Sequence, residues 1–221
     1  MRILIINPNS DPEMTAAIQR AAEAFANQQF EVVTMATPGA PEFIETTEDA
    51  ANAAPGMMEL VRDNEADFDA IVVACHSDPN IDLIKELTAK PVVGIGEASM
   101  RLATQLGHSF SVVTTHEESA APKHAQAQRL GLDEKLASVR APEGGSMDFE
   151  NLAVFLAPAR AAVEEDGADV LVMGCAGLSG LGKAIQEELQ VPVLDGVVSA
   201  LIIAAGFVGY GVSTHTPAPV A

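Results

Sequence analysis

Short apolar runs alternate with longer amphipathic stretches along most of this chain. Each run holds a few aliphatic or β-branched side chains and ends at a polar, glycine or proline turn, as is typical of buried parallel strands. Alternating strands and helices predict an α/β fold, with parallel sheets covered by helices on both faces. The predicted strands are residues 2–6, 30–36, 69–75, 91–95, 109–114, 136–140, 169–175 and 191–194.

The helices are predicted from the amphipathic stretches and from their first-turn residues. Ser10 and Thr115 each precede a glutamate by three residues and predict capping boxes. Pro55 and Gly56 are expected to kink or break the second helix. The predicted helices are residues 10–27, 47–64, 78–87, 96–106, 115–130, 149–165, 177–189 and 196–207.

Two of the strands are copies of one pattern. Residues 69–75 read DAIVVAC and residues 169–175 read DVLVMGC, and their cysteines, Cys75 and Cys175, are the only two in the chain. The repeat predicts two pseudo-symmetric α/β halves, residues 1–97 and 98–200, with residues 201–221 returning to the first half. The active site is expected in the cleft between the halves.

Polar and thiol side chains fall where predicted strands end. In parallel α/β sheets such positions form binding sites, and they are occupied by Asn7, Cys75, Thr114, Thr115 and Cys175. Two thiols that meet a small molecule from opposite faces can remove a proton from carbon on one face and return one on the other. This chemistry inverts configuration and needs no cofactor when a neighbouring carbonyl activates the carbon.

The proposed chemistry needs a thiolate and donors for the developing enolate. A free thiol has a pKa of about 8.5, and a helix N-terminus after each cysteine would favour its thiolate. The backbone N–H groups of Ser77, Ala176 and Gly177 are candidate donors to the enolate oxygens. Against this, cysteine is often a small buried hydrophobic residue, but the equivalent strand-end positions favour function.

Several of these positions leave two interpretations open. His76 either tunes Cys75 or is a partly exposed loop histidine. Asn7 and Asn9 either bind amides or carboxylates of the substrate or form an Asx turn. Thr115 either donates to substrate or caps a helix.

Composition narrows the classes of partner. The chain has 31 acidic and 12 basic residues and a net charge of −19, which disfavours nucleic acid and anionic membranes as partners. Its apolar runs are too short for a signal peptide or a membrane span, so we expect a cytoplasmic protein with free cysteines. Neither a CxxC motif nor a zinc signature occurs, and no metal is expected.

Six motifs together carry a family resemblance. They are ILIINPNS, PEFIET, ACHSDP, PVVGIGEASM, MGCAGLSG and PVLDGV, and with them the chain resembles the aspartate/glutamate/hydantoin racemase superfamily over its whole length. It looks closest to the hydantoin and allantoin racemase branch. The resemblance implies a cofactor-independent two-base racemase, an isomerase of a small molecule, that assembles as a homo-oligomer. It also implies Cys75 and Cys175 as the acid/base pair, with substrate contacts near Asn7, after each cysteine, and at Thr114 and Thr115.

The residues after the cysteines depart from the family patterns. The hydantoin branch commonly has Phe-Gly after the first cysteine, where this chain has His76-Ser77. Amino-acid racemases have Thr-His after the second, where this chain has Ala176-Gly177, which favours the hydantoin branch. Three alternatives remain open: an Asp/Glu racemase, a maleate-type cis–trans isomerase with one nucleophilic cysteine, and a non-catalytic small-ligand binder.

Overall fold

The computed structural model describes residues 1–149 and 151–213 of the chain. In that part of the chain the strands β1–β8 are Arg2–Asn7, Glu31–Ala36, Ala70–Val73, Val92–Gly94, Phe110–Val113, Leu136–Arg140, Val170–Met173 and Val193–Leu194. The helices α1–α8 are Pro12–Ala26, Thr47–Asn64, Ile81–Leu87, Ile95–Leu106, Ala120–Arg129, Leu152–Glu164, Gly182–Leu189 and Gly196–Tyr210. Residues 214–221, part of the predicted C-terminal return, lie outside the described residues.

The strands form two four-stranded sheets with the same strand order. One sheet has the order β2-β1-β3-β4 and the other β6-β5-β7-β8, and every strand pair is parallel. The predicted α/β class is confirmed, and the internal repeat extends to topology. In each sheet the chain leaves its first strand on one side and returns on the other, which puts a topological switch point between β1 and β3 and another between β5 and β7.

The chain divides into two compact units. One comprises Met1–Ile95 and the chain from Ala200 onward, and the other comprises Gly96–Ser199. The repeat predicts two domains. The first comprises residues 1–97 with 201–221, and the second comprises residues 98–200. This division into domains stays a prediction.

Each unit buries its own apolar core. In the first, Leu4, Ile6 and Ile71 of the central strands pack with Met57 of α2, all at 0% exposure. In the second, one core cluster includes Phe155 of α6, and another forms around Phe110 of β5. Burying a side chain of this size is worth about 1.5–3 kcal/mol, so these strands are held firmly where their carboxyl ends form the candidate site.

Helix α1 begins differently from the prediction. The N-cap is Asp11, whose carboxylate accepts a hydrogen bond from Glu13 N–H at 2.8 Å, so the predicted Ser10 capping box is wrong. Pro12 occupies the first helical position, where its fixed φ and missing N–H are tolerated. The proline thereby fixes the residue before it as the cap.

The capping box predicted at Thr115 is also wrong. A 3₁₀ turn, Glu117–Ser119, intervenes, and α5 begins at Ala120. Pro122 lies in the first turn of α5, where a missing N–H is tolerated, so the α-helix starts close to the proline and leaves Thr115 outside.

Helix α2 is continuous through Pro55 and Gly56, so the predicted break is wrong. A side chain at position 56 would overlap the Pro38 carbonyl oxygen, and the absence of Cβ lets the preceding loop approach the helix here. A reciprocal capping box between Thr46 and Asp49, not predicted from the sequence, fixes the helix start.

Candidate active site

The first cysteine lies at the switch point of the first sheet. Ala74 N–H donates to Ile6 O at 2.8 Å, which extends the pairing of β3 with β1 by one residue. Cys75 therefore follows at the carboxyl edge of the sheet, beside the end of β1 at Asn7. Its thiol is free and partly exposed.

A tight turn follows Cys75. Asp78 N–H donates to Cys75 O at 2.9 Å, and Asp78 adopts a left-handed φ of 50°. The Asp78 carboxyl lies so close to Gly94 that a Cβ there would overlap it. The side chain of Ser77 is exposed, and its Oγ lies 3.3 Å from Cys75 Sγ.

His76 is 1% exposed. The alternative that it is a partly exposed loop histidine is therefore wrong. A role in tuning Cys75 or in contacting substrate stays a prediction.

Asn7 and Asn9 are linked to each other at the end of β1. Asn7 Nδ2 donates to Asn9 Oδ1 at 2.5 Å and to Thr15 Oγ1 at 2.9 Å. Asn7 Oδ1 accepts from Asn9 N–H at 3.4 Å, and Asn9 Oδ1 from Asp11 N–H at 3.1 Å. The two bonds from backbone N–H groups are successive Asx-turn bonds. Both amide protons of Asn7 have internal partners, so a substrate contact by the Asn7 side chain would have to use its oxygen.

The second cysteine repeats this arrangement in its own sheet. Gly174 N–H donates to Val113 O at 2.7 Å, so Cys175 lies at the carboxyl edge beside the end of β5. Leu178 N–H donates to Cys175 O at 3.1 Å, the same three-residue turn that follows Cys75. The repeat therefore includes the backbone hydrogen bonds around both thiols.

The helices after the cysteines begin later than predicted. The predicted starts at residues 78 and 177 are wrong, because α3 begins at Ile81 and α7 at Gly182, six and seven residues after the cysteines. Gly180, at φ 100°, separates the 3₁₀ turn Ala176–Leu178 from α7. Helix-terminus stabilisation falls off within one turn, so the predicted support for the thiolates from these helices is not observed.

Backbone donors remain available in both turns. Within residues 1–149 and 151–213, the N–H groups of Ser77, Ala176 and Gly177 have no hydrogen-bond acceptor. Ala176 and Gly177 are buried, and unpaired buried N–H groups are rare in folded proteins. Their chemistry matches the predicted donors to an enolate oxygen.

Gly177 is packed against an aromatic ring. A Cβ at this position would lie 2.7 Å from Phe149 Cε1, inside the closest normal contact. Only glycine fits without displacement of the ring, and a ligand can then approach the backbone closely.

Thr114 and Thr115 lie at the carboxyl end of β5, 2% and 8% exposed. Thr115 is not a helix cap, since His116 and Ser119 occupy the N-cap positions of the 3₁₀ turn and of α5. Both hydroxyls stay candidates for a substrate contact.

Asp195 supports the second cysteine turn, a role that was not predicted from the sequence. Its carboxylate accepts from Ser179 Oγ at 3.2 Å and Gly180 N–H at 3.0 Å, just beyond the turn. It also accepts from Val197 and Val198 N–H at 2.8 and 3.2 Å, at the start of α8. Asp195 is thus a link between α8 and the Cys175 turn.

The acidic residue that opens each cysteine strand has the same structural task. Asp69 accepts from Arg2 N–H at 2.7 Å, and Asp169 accepts from His108 and Ser109 N–H at 2.8 and 3.2 Å. The bonds from His108 and Ser109 lower the pKa of the Asp169 carboxyl. Each aspartate thus ties its strand to the neighbouring strand, at the edge opposite the cysteine.

Neither a metal-binding cluster nor a membrane-spanning helix occurs among the described residues. No group of three or more His, Cys, Asp or Glu side chains in residues 1–149 and 151–213 is arranged to hold a metal ion. No helix in the same residues is long and apolar enough to cross a membrane.

Comparison with known proteins gives consistent matches over the whole chain. A family model described as Asp/Glu/Hydantoin racemase matches residues 3–204. The hydantoin racemase of Paenarthrobacter aurescens is 35% identical over 97% of this chain and 94% of its own, and that of Pseudomonas sp. (strain NS671) is 34% identical over 97% and 88%. The allantoin racemase structure from Klebsiella pneumoniae is 31% identical, with a TM-score of 0.93 over 100% of this chain and 95% of that one.

The duplicated fold and these matches define the class: the chain belongs to the Asp/Glu/hydantoin racemase family. Within that family it belongs to the branch of the hydantoin and allantoin racemases, and it is an enzyme of the racemase type.

Proposed function

We propose that this enzyme racemises a hydantoin- or allantoin-type cyclic ureide by a cofactor-independent two-base mechanism. The matches to hydantoin and allantoin racemases support the class of substrate. The observation that carries the mechanism is the repeated turn, in which a partly exposed cysteine lies at each switch point.

In the proposed reaction, one cysteine is a thiolate and the other a thiol. The thiolate takes the proton from the ring carbon next to a carbonyl, and the electron pair moves onto the carbonyl oxygen as an enolate. The thiol then gives its proton to the opposite face of the carbon and becomes the thiolate. Configuration is inverted, and atoms and charge balance without another reactant.

The unpaired backbone donors suit this intermediate. A ureide ring carries carbonyl oxygens, and the N–H groups of Ser77, Ala176 and Gly177 can donate to oxygens on which negative charge develops. The hydroxyls of Thr114 and Thr115 can donate in the same way. Neutral donors match a neutral ring, and this favours a ureide as substrate.

Two further predictions belong with this function. A cytoplasmic location and a homo-oligomeric assembly stay predictions from the sequence and the family resemblance. The proposed substrate is a small molecule.

The test uses single enantiomers in D₂O. One enantiomer each of several 5-substituted hydantoins, allantoin, aspartate and glutamate is incubated with enzyme, and optical rotation and deuterium uptake at carbon are followed. Loss of rotation together with exchange for a ureide supports the proposal. Loss of rotation for aspartate or glutamate alone contradicts the proposed substrate class.

The cysteines are tested one at a time. Acid–base groups contribute about 10²–10⁴-fold to rate, so we expect Cys75→Ser and Cys175→Ser each to lower racemisation at least about 100-fold. As a control for folding, the circular dichroism spectrum of each variant is compared with that of the unmodified enzyme. Full activity in either variant would overturn the two-base mechanism.

A further inference from the structure

The loop that follows β6, residues 141–149, packs onto the second cysteine turn. Ser146 N–H in this loop donates to Thr115 O at 2.9 Å, at the carboxyl edge of the sheet. At the end of the loop the Phe149 ring lies beside Gly177, where a Cβ would be 2.7 Å from Cε1 and 2.8 Å from Cδ1 and Cζ. The loop therefore holds an aromatic ring next to a candidate donor to the enolate.

Phe149 differs from the core aromatic residues of the same unit. Phe110 and Phe155 are both 0% exposed. Phe149 packs against the same apolar cluster as Phe155 and Cys175, but it keeps part of its surface exposed. An aromatic side chain that is partly exposed at the carboxyl edge of a parallel sheet is available to contact a bound ligand.

The chemistry of a ureide ring indicates which part of it meets Phe149. In the proposed reaction, Gly177 N–H donates to the carbonyl oxygen next to the racemised carbon. That carbonyl lies between the racemised carbon, which carries the substituent, and a ring N–H group. An aromatic ring suits an apolar substituent, whereas a ring N–H turned towards it would lose its hydrogen bond to water.

We infer that Phe149 is a specificity-determining residue that contacts the substituent on the racemised carbon. It favours hydantoins with an apolar substituent over allantoin, whose substituent at this carbon is a polar ureido group. The inference rests on the proposed function and narrows its substrate class. An apolar substituent gains free energy when it leaves water and packs on the ring, and a ureido group there would lose hydrogen bonds to water.

The test compares 5-isobutylhydantoin with allantoin. Their substituents have the same number of non-hydrogen atoms and the same branching, and they differ in polarity. The measured quantity is the ratio of kcat/KM for 5-isobutylhydantoin to kcat/KM for allantoin, each obtained from the loss of optical rotation of a single enantiomer. Comparing this ratio between a variant and the unmodified enzyme cancels the intrinsic reactivity of the two compounds.

We expect Phe149→Ala to lower this ratio at least about tenfold, the usual effect of a lost apolar contact in a binding pocket. The loss should come from a higher KM for 5-isobutylhydantoin with kcat retained, because the contact is made equally in the bound substrate and in the transition state. The kcat/KM for allantoin should change little. Phe149→Leu, which keeps an apolar side chain, should retain most of the ratio.

Phe30→Ala is the matched control. Phe30 is also partly exposed, but it lies just before β2, at the amino end of the first sheet, where it contacts Phe25. This variant should leave the ratio unchanged. Both substrates are measured in each preparation, so a smaller amount of folded enzyme lowers both rates equally and does not alter the ratio.

Equal losses for the two substrates in Phe149→Ala would show a structural role and overturn the inference. An unchanged or raised ratio in Phe149→Ala, or a ratio in Phe149→Leu as low as in Phe149→Ala, would also overturn it, as would racemisation of allantoin alone by the unmodified enzyme. Racemisation of either ureide supports the proposed function whatever the ratio, so the inference can fail alone. If neither ureide is racemised, the proposed function fails and the inference fails with it.

Discussion

At the scale of single residues, the two cysteine turns combine a duplicated backbone with specialised side chains. The bond from the third residue to the cysteine carbonyl is the same after Cys75 and Cys175. The residues two positions after the thiols differ: the Ser77 hydroxyl lies beside the Cys75 thiol, whereas Gly177 has no side chain and its backbone lies against the Phe149 ring. Duplication thus explains where the thiols lie, and the turn residues differ between the two copies.

Gly177→Ala tests the close contact with Phe149. The new Cβ would lie 2.7 Å from the ring, so the ring or the turn must move, at a cost of about 1–3 kcal/mol in unfolding free energy. We expect racemisation to fall as well, because the same turn holds the candidate donors.

Gly182→Ala is the matched control for this change. A Cβ at position 182, the first residue of α7, would meet nothing closer than Val193 Cγ1 at 3.5 Å, an ordinary contact. Urea unfolding and racemisation should therefore change little in this variant. Equal losses in the two variants would show that the Phe149 contact has no special effect.

Asp166→Asn tests a pH-dependent contribution to stability. Arg140 Nη2 donates to the Asp166 carboxylate at 2.7 Å, and this contact holds the pKa of Asp166 below its ordinary value. A lowered folded-state pKa contributes stability that is present above the unfolded value of about 3.9 and is lost as pH falls through the folded value. We expect Asp166→Asn to lose about 1 kcal/mol at neutral pH.

The difference between Asp166→Asn and the unmodified enzyme should shrink as pH falls below the unfolded value of about 3.9, and it should disappear once pH is below the lowered folded-state pKa of Asp166. Glu165→Gln, which removes the more exposed partner of the same Arg140, is the control and should cost less at neutral pH. Urea unfolding across this range measures both. If the stability difference between Asp166→Asn and the unmodified enzyme stayed constant with pH, the contribution could not come from the ionised Asp166 carboxylate.

At the scale of elements, Asp195→Ala tests the link between α8 and the Cys175 turn. The change leaves Ser179 Oγ, Gly180 N–H and the first N–H groups of α8 without their acceptor. Loss of the cap costs about 1–2 kcal/mol, and we expect kcat/KM for racemisation to fall with it because the turn loses its support.

Thr46→Ala provides the comparison for Asp195→Ala. Thr46 caps α2, so the variant should lose a similar amount of stability, about 1 kcal/mol, while racemisation is retained. If both variants lose activity equally, the effect of Asp195 is on stability alone.

The strands were predictable from the sequence, and the helix starts were less so. Buried parallel strands are continuous apolar runs, and for that reason the strands that lie just before Cys75 and Cys175 could be located. The start of a helix depends on competition among neighbouring caps, prolines and glycines. For this reason the helix starts predicted at Ser10, Thr115 and Gly177 were wrong. The link from Asp195 to Gly180 joins segments distant in sequence, and no local pattern reports it.

At the scale of the whole molecule, the net charge follows from the sequence, and the pairing of the charged side chains follows from the structure. The chain carries 31 acidic and 12 basic residues. The ion pairs among the described residues, such as Arg2 with Glu31 and Arg160 with Glu164, are largely exposed. Exposed pairs contribute little each, so repulsion among the unpaired carboxylates dominates the electrostatics of the folded chain.

Salt should therefore stabilise this protein. Mobile ions reduce the screening length from about 30 Å at 0.01 M to about 3 Å at 1 M, which weakens self-repulsion in the compact state. We expect the melting temperature at neutral pH to rise by about 2–4 °C between these concentrations, which corresponds to about 1 kcal/mol for a chain of this size. Three glutamates, Glu134, Glu187 and Glu188, are exposed and lie outside the observed ion pairs. Changing all three to glutamine should raise the melting temperature at low salt and reduce the further rise that added salt produces. A melting temperature that falls with salt would mean that attractive pairs dominate instead.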